Sequence, residues 1–356
     1  LKINPYVYHL NEGHSAFMIF ELIEQEMKSK KIVFNEACES AKKQIVFTNH
    51  TLVAAGQEFF DIETIRSLFS NEFVDLGLDK KSGMFSMTAL ALNMSVRVNA
   101  VSNLHEKMAE KVWRECHIES ITNGINIERW DMFKYYSHKE QKRKLIELIK
   151  SRCGVVFDEN ILLLGWARRF VDYKRPLALL GDVKRLKEMA TKEHRKIQIV
   201  YSCPLNKTYE EENILMKKLE GLVENELKGI VTFIPNYDIE IAKLLTSGCD
   251  VWLNTPIVGC EACGTSGMKA CLNGVLPLST SDGWMDEVDI SSIGWKVADN
   301  DVTLDLLDKI ENEITVEYYN NKDEWKEKMK RARNLILEKF TTSRMLDEYI
   351  QKMYLR

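Results

Sequence analysis

The chain has 356 residues, 45% hydrophobic and 29% charged, with a formal net charge of -4 and a pI near 6.1. This is a globular composition long enough for two domains; it lacks the basic excess of a nucleic-acid binder, and no apolar run reaches the roughly 18 residues of a membrane span. The eight scattered cysteines lack the density of a disulfide framework and, with no secretory signal at the start, read as reduced thiols of a cytoplasmic protein.

The opening LKINP has no initiator methionine and runs directly into apolar residues, as if the chain were entered part-way through a domain. Residues 7–11 (VYHLN) predict a strand, 15–30 an amphipathic helix with Ser15 as cap, and 43–51 (KQIVFTNHT) a second strand followed by a polar loop. Residues 86–113 predict a helix, a short strand at 97–101 and another helix. Between 130 and 154 the chain turns polar but keeps helical spacing, which predicts a connecting helix with one solvated face.

A second series of strands is predicted at 160–170, 196–203, 229–237, 249–256 and 275–280, with a helix at 239–248; the last thirty or so residues read as charged helices. Several of these strands are continuous apolar runs, as buried parallel strands require. Strand-loop-helix order repeats, which predicts an α/β fold with parallel sheets. The expected domains are 1–135 and 155–325, joined by a helix at 136–154 and followed by C-terminal helices at 326–356. Ligands of such sheets bind beyond the carboxyl ends of the strands, where four loops stand out: NEGH, TNH, WARRFVDYKR and TPIVGCEACGTSG.

In the last of these, Gly264-Thr265-Ser266-Gly267 precedes a helix that carries Lys269. Small residues there leave the first N–H groups free for an anion, with the two hydroxyls as further donors. Lys269 can serve as a point charge or as a covalent amine; an ordinary helix cap uses the same small residues. In WARRFVDYKR, Arg168, Arg169, Lys174 and Arg175 crowd the end of a buried strand, and Arg169 and Lys174 can chelate a phosphate. Glu12 and His14 flank a glycine at a strand-to-helix turn and suit a polar ligand such as a sugar; Asn123-Gly124 marks a tight turn, with Trp130 beyond it. Cys260 and Cys263 form a lone C-x-x-C without the second pair or histidines of a structural zinc site, so no metal is expected.

Taken in order, LNEGHSAF, FTNHTLVAAG, VNAVSNLH, ITNGINIERW, RRFVDYKRP, NYDIEIAKLL, DVWLNTP, EACGTSGMKACLNGV and STSDGW resemble the α-glucan (glycogen, starch and maltodextrin) phosphorylase family, closest to its shorter bacterial-type branch. The resemblance implies a GT-B arrangement of two Rossmann-like domains facing a cleft, the N-terminal one incomplete here. It implies phosphorolysis of α-1,4-glucan by inorganic phosphate to α-glucose 1-phosphate, with pyridoxal phosphate held as a Schiff base. By position, Lys269 bears the cofactor; Gly264, Thr265, Ser266 and Arg168 cradle its phosphate; Tyr237 and Trp130 lie near its ring. Arg169 and Lys174 hold the substrate phosphate, and His14, Asn123 and Glu261 bind the glucosyl unit.

The sequence departs from the family in three ways. Cys263 stands where the family has a serine, SCPLNK (202–207) replaces a Gly-Lys-Ala-type turn, and the family's glycine-rich loop has no counterpart. A homodimer, or a second chain supplying the N-terminal part, is the implied assembly. Two other readings stay open: a non-catalytic glucan-binding or partner subunit, and a sugar-nucleotide-dependent transferase of the same architecture, against which the lysine of GTSGMK argues.

Overall fold

The computed structural model describes residues 5–52, 57–204 and 210–355; residues 53–56 of FTNHTLVAAG and 205–207 of SCPLNK lie outside the described residues. The chain divides into two compact units, one built from residues up to Thr122 with those from Met345 onward, the other from Asn123–Arg344. Among the described residues no helix is long and apolar enough to cross a membrane.

The first unit contains β1 (Tyr8–Asn11), β2 (Ile45–Thr48), a short pair β3 (Phe59–Phe60) and β4 (Phe85–Ser86), β5 (Arg97–Ala100) and β6 (Glu119–Ser120). Its main sheet runs β1-β2-β5-β6, all parallel. β2 lies second in that order and its four residues, IVFT, are all buried, as a strand covered on both faces requires. The expected helix from Ser15 begins instead at Met18, and Ser15 does not cap it: residues Gly13–Ser15 form a separate 3-10 turn, and the cap position is Phe17. The cause is Glu12, whose φ of 73° turns the chain sharply while its carboxylate accepts the His50 N–H at 2.8 Å. The pair β3–β4 is antiparallel; its two-residue strands are too short for any alternation to register in the sequence.

The second unit contains β7 (Leu162–Ala167), β8 (Ile197–Ser202), β9 (Val231–Ile234), β10 (Val251–Asn254), β11 (Leu276–Ser279) and β12 (Trp295–Lys296). The sheet is ordered β12-β11-β10-β7-β8-β9, with every neighbour parallel. Read from the β9 edge this is the 3-2-1-4-5-6 order of dinucleotide-binding sheets, and the order reverses between β7 and β10. All six residues of β7 and of β8 are buried, and Gly165 of β7 is required by closeness: a β-carbon there would lie 2.4 Å from Cys249 Sγ.

The polar stretch before β7 is the helix His138–Cys153. It opens with a capping box between Ser137 and Glu140 and stops at Gly154 in the left-handed conformation. It packs on the helix Ile239–Gly248, where Gly248 allows close approach: a β-carbon would lie 2.8 Å from the Gln141 carbonyl. At the amino end of β10 a buried Lys142–Asp250 pair at 2.6 Å ties this helix to the sheet, and Asp250 also accepts the Leu163 N–H.

Candidate active site

The carboxyl ends of β7 and β10 define the switch point, beyond which ligands of such sheets bind. β7 ends at Ala167 and delivers Arg168; β10 ends at Asn254. Arg168 Nη1 donates to Asn254 Oδ1 at 2.5 Å, and Asn254 Nδ2 donates to Ser279 Oγ at the end of β11 at 2.8 Å. One hydrogen-bonded row thus crosses three strand ends.

The loop after β10 returns over this row and presents Glu261. Its Oε2 accepts Arg168 Nη2 at 2.5 Å and Lys174 Nζ at 2.7 Å, and all three side chains are at least nine-tenths buried. Burial pushes the Glu261 carboxyl upward, but Arg168 and Lys174 together outweigh it, and the group is held below the ordinary carboxylate range. Lys174 behaves differently. Burial, then the neighbouring Arg168, bring its amine down to about 8, because two cations share a single anion. Tyr173 beside them is pushed up to about 12, first by burial and then by Glu261.

The loop itself is stapled from behind. Asp282, buried after β11, accepts the Glu261 N–H at 2.9 Å and the Gly283 N–H at 2.8 Å. Burial raises its carboxyl to about 6. Arg175, in the left-handed region at φ 48°, donates to the carbonyls of Thr255 and Pro256 and pairs with Asp299, so it fastens the basic loop to the β10 loop.

The same loop leads into the helix Thr265–Leu272. Gly264 precedes it at φ 77°, a conformation that favours glycine, and a β-carbon there would lie 3.2 Å from Arg168 Nη2. The glycine-flanked helix start and the basic loop therefore meet. Gly264 has no side chain to cap the first turn, and among the described residues the Ser266 hydroxyl is buried without a hydrogen-bond partner. Free helix-start donors plus an unsatisfied hydroxyl, beside a guanidinium, fit a phosphoryl group. On the inner side Gly267 lies flat against Trp284, at 3.4 Å from a β-carbon position.

Lys269, half-buried on this helix, points its Nζ at the Trp130 indole, 4.0 Å from the ring centroid. Burial, then Arg129, lower its pKa below the ordinary lysine value, which makes the amine easier to deprotonate. Tyr237 is half-buried and packs on the cluster that includes Ala167 and Ala270, the neighbours of Arg168 and Lys269. Asn123 lies beside Cys263, whose buried thiol meets the Asn123 backbone and is pushed well above its usual range by burial. Gly124 packs so tightly that a β-carbon would lie 2.3 Å from the Thr341 carbonyl oxygen.

The structure thus groups Arg168, Lys174, Glu261 and Gly264, and separately pairs Lys269 with Trp130. Arg169 is exposed, and His14 is exposed within the other unit. Sequence reasoning passed over Asn254, Asn273, Asp282 and Arg333. Asn254 had a signal, an amide closing an apolar strand; Asn273 and Asp282 sit in the quoted EACGTSGMKACLNGV and STSDGW without a role; Arg333 had none.

A family profile described as carbohydrate phosphorylase matches residues 131–295, which include Arg168, Arg169, Lys174, Tyr237, Glu261 and Lys269. The chain is 33% identical to the maltodextrin phosphorylase of Thermococcus litoralis, with 99% of this chain and 51% of that protein covered. It is 28% identical to the glycogen phosphorylase of Aquifex aeolicus, covering 99% of this chain and 63% of the relative. It is 31% identical to an uncharacterized protein of Methanocaldococcus jannaschii, covering 99% and 70%. The chain spans 51% and 63% of the lengths of the two named phosphorylases. Sequence, sheet order and relatives agree: the chain belongs to the carbohydrate phosphorylase family, among the α-glucan phosphorylases.

Proposed function

We propose that this chain transfers a glucosyl unit from an α-1,4-glucan to inorganic phosphate, giving α-glucose 1-phosphate, with pyridoxal phosphate attached through Lys269. The observation that carries the reading is the meeting of Arg168, Lys174 and the Gly264 helix start at one switch point. Two phosphoryl groups brought close together need several cations and oriented N–H donors, and those are the groups these loops present.

The residues fit the cofactor. Among the described residues the Ser266 hydroxyl at the helix start is an unused donor, and the Lys269 amine, its pKa lowered by burial and Arg129, faces the Trp130 indole. Gly264, Thr265, Ser266 and Arg168 would hold the cofactor's phosphate, and Tyr237 and Trp130 would flank its ring. When bound, the cofactor supplies that phosphate as an acid-base and electrostatic partner for the substrate phosphate.

Arg169 and Lys174 would bind the substrate phosphate. Glu261 keeps Lys174 and Arg168 aimed at one point, and an arriving anion restores charge balance to a group holding two cations per carboxylate. His14, Asn123 and Glu261 would contact the glucosyl unit. A GT-B arrangement is supported by each unit having its own parallel sheet, and a cytoplasmic setting by eight unpaired cysteines. A homodimer or a second chain remains the proposed assembly.

The test is product formation from maltoheptaose. Release of α-glucose 1-phosphate that requires both inorganic phosphate and pyridoxal phosphate is expected. Glucosyl transfer from a sugar nucleotide, indifferent to phosphate, would replace this reading with a nucleotide-dependent transferase. Glucan binding without either product would replace it with a binding subunit.

A further inference from the structure

One buried amide spans the two segments that meet at Lys269. Asn273 follows the helix Thr265–Leu272 and is 0% exposed. Its Nδ2 donates to the carbonyls of Trp130 at 2.8 Å and Lys269 at 2.9 Å. Its Oδ1 accepts the N–H groups of Met132 at 2.8 Å and Phe133 at 3.3 Å. A carboxamide has two donor hydrogens and two acceptor lone pairs, so its whole capacity is used.

A second brace lies beside it. Arg333, on the helix Lys322–Lys339, donates to both carboxylate oxygens of Asp131 at 2.8 and 2.7 Å and to the Leu272 carbonyl at 2.7 Å. Asp131 adjoins Trp130, and Leu272 closes the helix that carries Lys269. Both braces therefore connect the same two pieces of chain, and neither touches the amine.

We propose that Asn273 is a positioning residue: with the Asp131–Arg333 pair it holds the Trp130 indole over the Lys269 amine, and so sets where that amine points and how much water reaches it. Its catalytic consequence rests on the reading of Lys269 given above; the brace itself does not. Aspartate, the closest isostere, keeps the acceptors but loses both donors, leaving the Trp130 and Lys269 carbonyls without this partner. The indole face favours an ammonium, while its bulk keeps water away. Burial is the larger influence on this lysine and Arg129 the next; Asp131 is already matched by Arg333.

The test is 13C NMR of the whole chain, freed of any bound aldehyde with hydroxylamine and reductively methylated with 13C-formaldehyde. Lys269→Arg assigns the resonance. An amine 4.0 Å from an indole centroid is expected upfield of the other dimethyl-lysines, through the ring current, and titrating below them. In Asn273→Asp, as in Trp130→Leu, the signal is expected to join the other lysines and its midpoint to rise toward the ordinary 10.5. A folded Asn273→Asp chain that keeps the upfield, early-titrating signal overturns the proposal. If that variant does not fold, Arg333→Met is expected to move signal and midpoint part-way the same way, and an unmoved signal there overturns it equally. Failure of pyridoxal phosphate to attach to Lys269 would sink the earlier reading and leave these resonances unchanged.

Discussion

Lys174 Nζ lies 2.7 Å from Glu261 Oε2, in a pocket where both side chains are about nine-tenths buried. The same oxygen accepts Arg168, so one carboxylate anchors two cations that come from the other side of the switch point. Removing one partner of a buried ion pair strands the other. Glu261→Ala is therefore expected to lower stability by about 3–5 kcal/mol, read from urea unfolding. A loss below about 1 kcal/mol, the scale of a solvent-screened pair, would show that these charges are solvated and not buried together.

The low pKa of Lys174 would set a pH limit on the proposed phosphate binding. The buried amine titrates near 8, against 10.5 in an open chain. Between those values the unfolded chain keeps a proton that the folded chain has released, so stability rises with pH through this window. The proposed phosphate binding would have the opposite sign, since it would need the charged amine. By calorimetry, affinity for inorganic phosphate is expected to fall above pH 8, and Lys174→Met to bind weakly with a flatter profile. A parallel decline in Lys174→Met would assign the pH limit to another group.

Ser266 separates a ligand role from a structural one. Its hydroxyl is buried and, among the described residues, unpartnered, and an unsatisfied buried hydroxyl costs about 1–3 kcal/mol. Ser266→Ala is expected to leave the melting temperature of the cofactor-free chain unchanged or higher, while weakening pyridoxal phosphate binding severalfold in a fluorescence titration. A destabilised chain with unaltered binding would reverse that assignment.

Much of this site was legible from local sequence. A buried apolar strand followed by WARRFVDYKR, and another followed by a glycine-flanked helix start, mark strand ends without any structure. Their adjacency needed the strand order, since β7 and β10 are separated in sequence by β8 and β9. Glu261 carried a sugar-binding expectation; its bond to Arg168 spans 93 residues and was invisible along the chain. Asn273 and Trp130 are 143 residues apart, and Arg333 and Asp131 are 202 apart. An amide or arginine in a helical region carries no mark of such a partner. Ser15 misled for a local reason, because the strained Glu12 spends the first turn before the helix begins.

The first unit is expected to be acid-sensitive. Burial lowers His50 and His105 to about 4, and lowers His9 as well. The unfolded chain binds protons at these positions from the ordinary 6.5 downward, while the folded chain does not, so stability falls as pH drops below 6.5. His105 is the clearest case: Nδ1 accepts the Val101 N–H at 3.1 Å, and among the described residues Nε2 is buried without a partner. Amide hydrogen exchange at pH 7 and pH 5, corrected for intrinsic rates, is expected to show loss of protection in β2 and β5 that exceeds any loss in β7 and β8. Equal changes in both sheets would remove the histidines as the cause.

The most direct measurement is peptide mapping of the chain after incubation with pyridoxal phosphate and borohydride reduction. The expected result is one phosphopyridoxyl group on the peptide containing Lys269, with the other lysines unmodified at stoichiometric cofactor and the label lost in Lys269→Arg. An unmodified Lys269, or label spread over surface lysines, would contradict a phosphoryl pocket built around that amine.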